Sequence, residues 1–434
     1  MKFFGTMINS GGVLEIGGIK VTELAEKYGT PLYIMDQQLI EENMLKYKEN
    51  FKSNRFKTTV VYASKAFLSK AICKLVEKHD LHIDAVSGGE LYTIKASGIS
   101  MERVHMHGNN KTDDELKMCL DYNIGSIILD NEEEIERVSN ICKEKNQKIK
   151  VMLRINIGID AHTHEYIQTS KHSSKFGESI FDERFPEIVA KIVSDKNLEF
   201  LGFHCHIGSQ IFDTKAFHEG IEVMIKETKK ISEKLNISIP EINLGGGFGV
   251  YYTEKDTAID IEKFMKSMIE HIEKSLEKEN MIIEKISIEP GRSIIGNAGS
   301  TLYRVGGIKE TFGGVKYVFI DGGMTDNIRP ALYQAEYEAV IANKLDEIED
   351  EIVTVAGKCC ESGDLIIKNR KLGKAEKGDL LLVGTTGAYG YSMSSNYNKA
   401  QRPAVVFVKN GKSAISIKRE SLEDLVRNDI YTEL

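Results

Sequence analysis

No stretch of this chain approaches the roughly 20 consecutive apolar residues that a membrane-spanning helix needs. Membrane insertion is therefore not expected. The first ten residues hold a single lysine and too short an apolar run for a secretory signal. Cysteine is scarce, with six in 434 residues, and no two form a CxxC pair. That pattern argues against both a disulfide framework and a zinc knuckle, and it fits reduced thiols in a cytoplasm. Cys73, Cys119, Cys142 and Cys205 lie in apolar contexts and read as small core residues. Positive charge is not in excess either: 57 basic against 65 acidic residues leave a formal net charge of −8. Such a balance offers no field for nucleic acid or anionic lipid. Internal repeats and low-complexity linkers are also missing, and acidic runs such as residues 346–351 read as solvated faces.

What remains is an ordinary globular composition, 41% hydrophobic and 28% charged, in a chain long enough for two domains. Eight short apolar runs occur at residues 60–63, 81–86, 104–107, 126–129, 150–157, 200–207, 241–244 and 285–288. At their ends stand Lys65, Asp84 with Ser87, His107, Asp130, Arg154, His206 with Ser209, the glycines 245–247, and Glu289 with Arg292. Helical periodicity separates many of the runs. Ile261, Phe264, Met265, Met268, Ile269, Ile272 and Leu276 follow the spacing of a helix burying one face. Residues 112–122 and 131–145 read similarly, and Thr112 followed by Glu115 is a capping-box pattern. Parallel neighbours need long crossovers, so this alternation predicts an α/β fold, a (β/α)8 TIM-type barrel over residues 31–292. Such a barrel gathers all eight strand ends on one face, where active sites lie.

After residue 292 the rhythm changes. Strand-like runs at 302–308, 316–320, 352–355, 365–367, 380–383 and 405–408 follow one another with turns between. Asn410-Gly411 is a hairpin signal, since a type I′ turn needs two residues that tolerate positive φ. Residues 293–434 therefore predict an antiparallel β domain, joined by the N-terminal strands of residues 1–30.

Lys65 ends its run among apolar and small neighbours. A lysine at the mouth of a packed barrel is expected to be partly desolvated and able to condense with a carbonyl; elsewhere it would be a surface charge. Glycines 245–247 and 249 follow the seventh run and Glu289-Pro290-Gly291-Arg292 ends the eighth, where barrels often bind phosphate. The bland alternative is a tight turn. Lysine, phosphate site and carboxylate together suggest pyridoxal phosphate, which needs an amine, an anchored phosphate and a group tuning its ring nitrogen. Glu289 is the candidate for that nitrogen and His206 for lying against the ring. The rival is a metal, because His105/His107, His162/His164 and His204/His206 are His-x-His pairs; with the lysine and glycine features present, no metal is expected.

Tyr62-Ala63-Ser64-Lys65-Ala66, residues 84–90, His204-Cys205-His206-Ile207-Gly208-Ser209-Gln210, the glycine string and Glu289-Pro290-Gly291-Arg292 occur in one order. Together they resemble the alanine-racemase-fold (fold type III) pyridoxal phosphate decarboxylases, and within them the diaminopimelate decarboxylase family. The resemblance runs from about Pro31 to Tyr397. It implies decarboxylation of meso-2,6-diaminopimelate to L-lysine, the last step of lysine biosynthesis. Ornithine, arginine or carboxynorspermidine remain alternative substrates of the same fold. It further implies that Lys65 carries pyridoxal 5′-phosphate, His206 stacks on the ring and Glu289 faces its nitrogen. Ser209, Gly247, Pro290, Gly291 and Arg292 would hold the cofactor, and Tyr389 would meet both cofactor and substrate. Arg292, Arg329 and Tyr333 would bind the substrate carboxylate, Cys360 would donate a proton, and Glu361 would grip the distal amine. A homodimer is implied, with the Cys360–Glu361 segment completing the neighbour's pocket. Two departures stand out: Cys359 replaces a usual histidine, and Thr169-Ser170 replaces Thr-Gly in residues 158–177, a stretch that reads as a lid or binding loop.

Overall fold

The computed structural model describes residues 1–159 and 174–433. His162, His164 and the Thr169-Ser170 departure lie outside the described residues, as does most of the expected lid. The chain divides into two compact units.

One unit spans Met44–Gly249 and Ala258–Ser293. Its strands are Lys57–Tyr62, His82–Ala85, Val104–Met106, Ser126–Leu129, Ile149–Asn156, Leu198–His204, Glu241–Asn243 and Lys285–Ile288. Each pairs parallel with the next, and Lys285–Ile288 returns to Lys57–Tyr62, so the sheet closes. All eight correspond to the expected runs, with ends shifted by a few residues. Ile128, Met152 and Leu201 from three of these strands form one buried cluster, as the filled interior of an eight-stranded barrel requires. Between Phe200 and Gly202 the register shifts by a residue. A Cβ on Gly202 would come within 1.9 Å of the Glu241 carbonyl oxygen, so only glycine fits this bulge. Two residues later the same strand delivers His204.

The crossover helices follow from their sequences. Asp113–Asp121 has the expected capping box, Thr112 accepting from the Glu115 N–H while Glu115 reaches back to the Thr112 N–H. Asn131 caps Glu132–Lys145. In Ile261–Lys278 the buried face carries Phe264, Met265, Met268, Ile269, Ile272 and Leu276. Each such side chain contributes roughly 1.5–3 kcal/mol on leaving water.

The other unit comprises Met1–Asn43, Val250–Thr257 and Ile294–Leu434. The expected boundary at residue 31 is therefore displaced. Leu32–Asp36 is a strand of this unit, antiparallel to Gly299–Glu310 and parallel to Ala404–Lys409. All five of its residues are buried, so its apolar run reads the same as a barrel strand. Lys316–Ile320 lies parallel to Glu351–Ala356, and the remaining pairings of this sheet are antiparallel. The expected hairpin joins Ala404–Lys409 to Lys412–Ile417, with Asn410 at φ 51° and Gly411 at φ 71°. Residues 1–30 join this unit: Ile8–Asn9, Leu14–Ile16 and Ile19–Lys20 form a small meander. Its Leu14 and Ile16 pack in one cluster with Leu302, Val340, Leu382 and Val406.

Candidate active site

Lys65 sits in a short 3-10 turn, Ser64–Ala66, directly after the first barrel strand. Ser64 and Ala66 are buried, but Lys65 is exposed. The expectation of a partly desolvated amine is thus corrected: its neighbours turn inward and the lysine projects from the strand end. Its charge still bears on Asp84, Glu90 and His206. Asp84, buried at the end of the second strand, accepts a 2.6 Å hydrogen bond from the Ser64 N–H and so fixes the turn that carries Lys65. Burial pushes the Asp84 pKa up. Ser87 has a plainer role, capping Gly88–Ser97 through the Glu90 N–H.

Glu289 ends the eighth strand and is 8% exposed. Oε1 lies 3.0 Å from His107 Nε2 and accepts from Asn243 Nδ2 at 2.8 Å, while Oε2 lies 3.1 Å from His204 Nε2. Burial opposes ionisation of Glu289, but the two imidazoles outweigh it and hold the carboxyl well below the usual carboxylate range. Burial drives His204 the other way, to about 4, so its imidazole is neutral at pH 7. Its Nδ1 is buried without a hydrogen-bond partner, which assigns the proton to Nε2, facing Glu289. The result is an ionised, oriented carboxylate served by three donors from three other strands.

His206 follows two residues after His204. Its Nδ1 accepts from the Gly246 N–H at 3.3 Å, which turns the ring toward the glycine string. Burial, then the charges of Lys65 and Arg154, push its pKa to about 3, leaving a neutral ring. Gly247 has φ 114°, and a Cβ there would lie 2.3 Å from the Gly208 carbonyl oxygen. A Cβ on Gly246 would lie 2.1 Å from the Glu289 carbonyl oxygen. These contacts leave glycine alone at both positions. Ser209 Oγ accepts from an Arg292 guanidinium nitrogen at 3.1 Å, joining the loops after the sixth and eighth strands. The Pro290 carbonyl accepts from the Ala63 N–H, and Gly291 packs against Ala63, where a Cβ would be 2.7 Å away. Lys65, His206, Ser209, Gly247, Glu289, Pro290, Gly291 and Arg292 therefore all belong to strand ends and loops at the C-terminal face of one barrel.

The other expected residues lie in the β unit. Arg329 opens the short helix Arg329–Tyr333 and donates from Nε to Tyr337 Oη at 3.0 Å. Its guanidinium carbon stands 5.4, 5.7 and 5.8 Å from the ring centroids of Tyr333, Tyr389 and Tyr252. Such an aromatic cage holds a planar cation while leaving its other N–H groups for a carboxylate. Tyr333 is exposed, and Tyr389 adopts a left-handed φ of 59°. Cys360 and Glu361 are exposed, with the Cys360 N–H donating to Asn398 Oδ1 at 2.9 Å.

Several groups escaped the sequence. Asn243, His107 and His204 had no expected role toward Glu289. Lys111 and Glu134 form a buried ion pair at 2.9 Å, and Lys111 also donates to the Gly108 and Ile128 carbonyls. Of the His-x-His pairs, His105 faces His82 and Ser126 rather than joining His107. His107, His204 and Glu289 have ligating atoms within 4.8 Å of one another, the one such cluster among the described residues.

A barrel whose C-terminal mouth combines an accessible lysine, a glycine turn and a donor-held carboxylate, in a chain with a second β unit, defines a fold type III cofactor-dependent enzyme. The family described as "Pyridoxal-dependent decarboxylase, pyridoxal binding domain" matches residues 37–296. The chain is 48% identical over 422 residues to diaminopimelate decarboxylase of Bacillus subtilis, covering 97% of this chain and 96% of that one. Against the Bacillus methanolicus enzyme of the same name the identity is 47%, covering 97% and 98%. The crystal structure of diaminopimelate decarboxylase from M. jannaschii in co-complex with L-lysine superposes with a TM-score of 0.92 at 34% identity, covering 98% of each chain. The chain belongs to the diaminopimelate decarboxylase family of pyridoxal-dependent decarboxylases.

Proposed function

We propose that this protein decarboxylates meso-2,6-diaminopimelate to L-lysine with pyridoxal 5′-phosphate as its cofactor. The observation that carries the reading is the Glu289 carboxylate, buried yet held ionised by His107, His204 and Asn243 at the same barrel mouth as Lys65. A buried anion so placed suits a ring nitrogen that must stay protonated. The residues present fit the cofactor: Lys65 would hold its aldehyde carbon, Ser209, Gly247, Gly291 and Arg292 its phosphate, and Pro290 and Tyr389 would adjoin it. When bound, the cofactor accepts the electron pair left as the α-carboxylate departs as carbon dioxide.

The remaining steps belong to the chain. Glu289 would keep a proton on the ring nitrogen through a charge-assisted hydrogen bond. His206, neutral and fixed by Gly246, offers a flat face without adding positive charge. Arg329, caged by tyrosines, takes the carboxylate that does not react, with Arg292 and Tyr333; the fork geometry of a guanidinium suits that group bidentately. An amine or guanidine there would be repelled, which disfavours ornithine or arginine. Cys360 returns a proton to the α-carbon where the carboxylate was lost, and Glu361 pairs the distal ammonium. Both residues are exposed, which supports a homodimer in which this segment completes the partner's pocket. The six cysteines, all free, accord with a cytoplasmic enzyme. Purified protein supplied with the cofactor should release lysine from diaminopimelate, and Lys65→Ala should reduce release to background. Robust turnover by that variant would refute the reading.

A further inference from the structure

Asp364 closes the Cys360-Glu361-Ser362-Gly363-Asp364 string and takes no part in the chemistry above. It is 2% exposed, unlike Cys360 and Glu361. Its Oδ1 accepts from the Met324 N–H at 2.6 Å and its Oδ2 from the Cys359 N–H at 2.8 Å. One carboxylate thus joins two loops, residues 322–328, which lead into Arg329, and residues 357–364, which carry Cys360. A backbone bond from the Lys358 N–H to the Gly322 carbonyl, 2.9 Å, runs beside it. The Cys359 thiol faces the same carboxylate: burial and the Asp364 charge push its pKa up to about 11, so it stays protonated and can donate.

Glycines make the room. A Cβ on Gly323 would lie 2.5 Å from Asp364 Oδ1, and one on Gly357 2.2 Å from Oδ2. The sequence thus gives up side chains on both loops where the carboxylate enters. Charge-assisted bonds to backbone N–H groups are stronger and more directional than neutral ones. Cutting them would loosen both loops at once.

We propose that Asp364 is a positioning residue whose carboxylate ties the Cys360–Glu361 loop to the loop leading into Arg329, holding proton donor and carboxylate-binding arginine on one frame. The proposal rests on the roles given to those residues above. It has a kinetic signature. A variant that merely loses folded protein lowers kcat and leaves KM unchanged. Loosening both loops raises KM, through Arg329, and lowers kcat, through Cys360.

The test uses holoenzyme carrying Asp364→Asn, with Gly357→Ala as a second route to the same disturbance. Amide hydrogen exchange, kcat, KM and the thermal midpoint are measured for each. Both variants should lose at least about tenfold protection at the Met324 and Cys359 amides together, as loss of a charge-assisted bond allows. KM should rise and kcat fall, each by about threefold or more, for at least about tenfold in kcat/KM. In an Asp364→Ala background, Gly357→Ala should cost less than about twofold more, because the atom it would strike is gone. Unchanged protection at both amides, or a fall in kcat with KM unchanged, overturns the proposal. A wild-type holoenzyme that releases no lysine overturns the reading of the site instead, while exchange at the two amides still reports the tether.

Discussion

Two carboxylates with contrary environments show how residue-scale chemistry is set here. Glu289 has three donors and stays ionised despite burial. Asp326, 2% exposed, has the Gly323 N–H among few compensations, and burial raises its pKa to about 7. An unfolded aspartate releases its proton near 3.9. Between those values the folded chain binds more protons, so the Asp326 contribution to stability falls as pH rises from about 4 through about 7. Asp326→Asn keeps an acceptor for Gly323 and removes the titration. Thermal midpoints at pH 5 and pH 8 should therefore differ less in Asp326→Asn than in the wild type, with the variant gaining most at pH 8. A variant whose midpoint follows the wild type across that range would show that Asp326 is not held protonated. This behaviour was not legible in the sequence, where Asp326 is one more acid in a turn; in the fold Tyr33, far away along the chain, donates to its carbonyl.

At the scale of elements, the eight barrel strands were legible because each is a short apolar run followed by a crossover. Leu32–Asp36 was not assigned correctly, because its partners begin near residues 299 and 404 and a five-residue buried run carries no period. The histidines show a related limit. Strand periodicity fixes the face a side chain points to but not its level along the barrel, so His105 and His107 read as a pair although one meets Ser126 and the other Glu289. Lys111 and Glu134 look like ordinary helix-flanking charges in the sequence. In the fold they tie the loop after the third strand to the helix after the fourth, with Glu134 also accepting from the Asp130 N–H. Lys111→Met would strand a buried carboxylate and should cost about 3–5 kcal/mol in chemical denaturation. Adding Glu134→Leu should restore most of it. A loss below about 1 kcal/mol in the single variant would mean the pair is solvated.

At the scale of the whole molecule, Cys360 and Glu361, both exposed, are proposed to complete a partner's pocket. Lys65→Ala and Cys360→Ala proteins, each inactive alone, should recover activity when mixed and allowed to exchange subunits, because a hybrid dimer contains one pocket with both residues intact. Lysine release by the mixture checks it, and a mixture as inactive as its parents would contradict a shared pocket. Catalytic acids typically contribute 10²–10⁴-fold, so the recovered signal stands well above either parent.

If the Lys65 amine carries the cofactor, borohydride reduction will fix it there as a stable secondary amine. Protein loaded with pyridoxal 5′-phosphate is reduced, digested and mapped by mass spectrometry. One phosphopyridoxyl mass increment is expected, on Lys65, and none on that peptide in Lys65→Ala. A stoichiometric increment on any other lysine, with Lys65 unmodified, would contradict it.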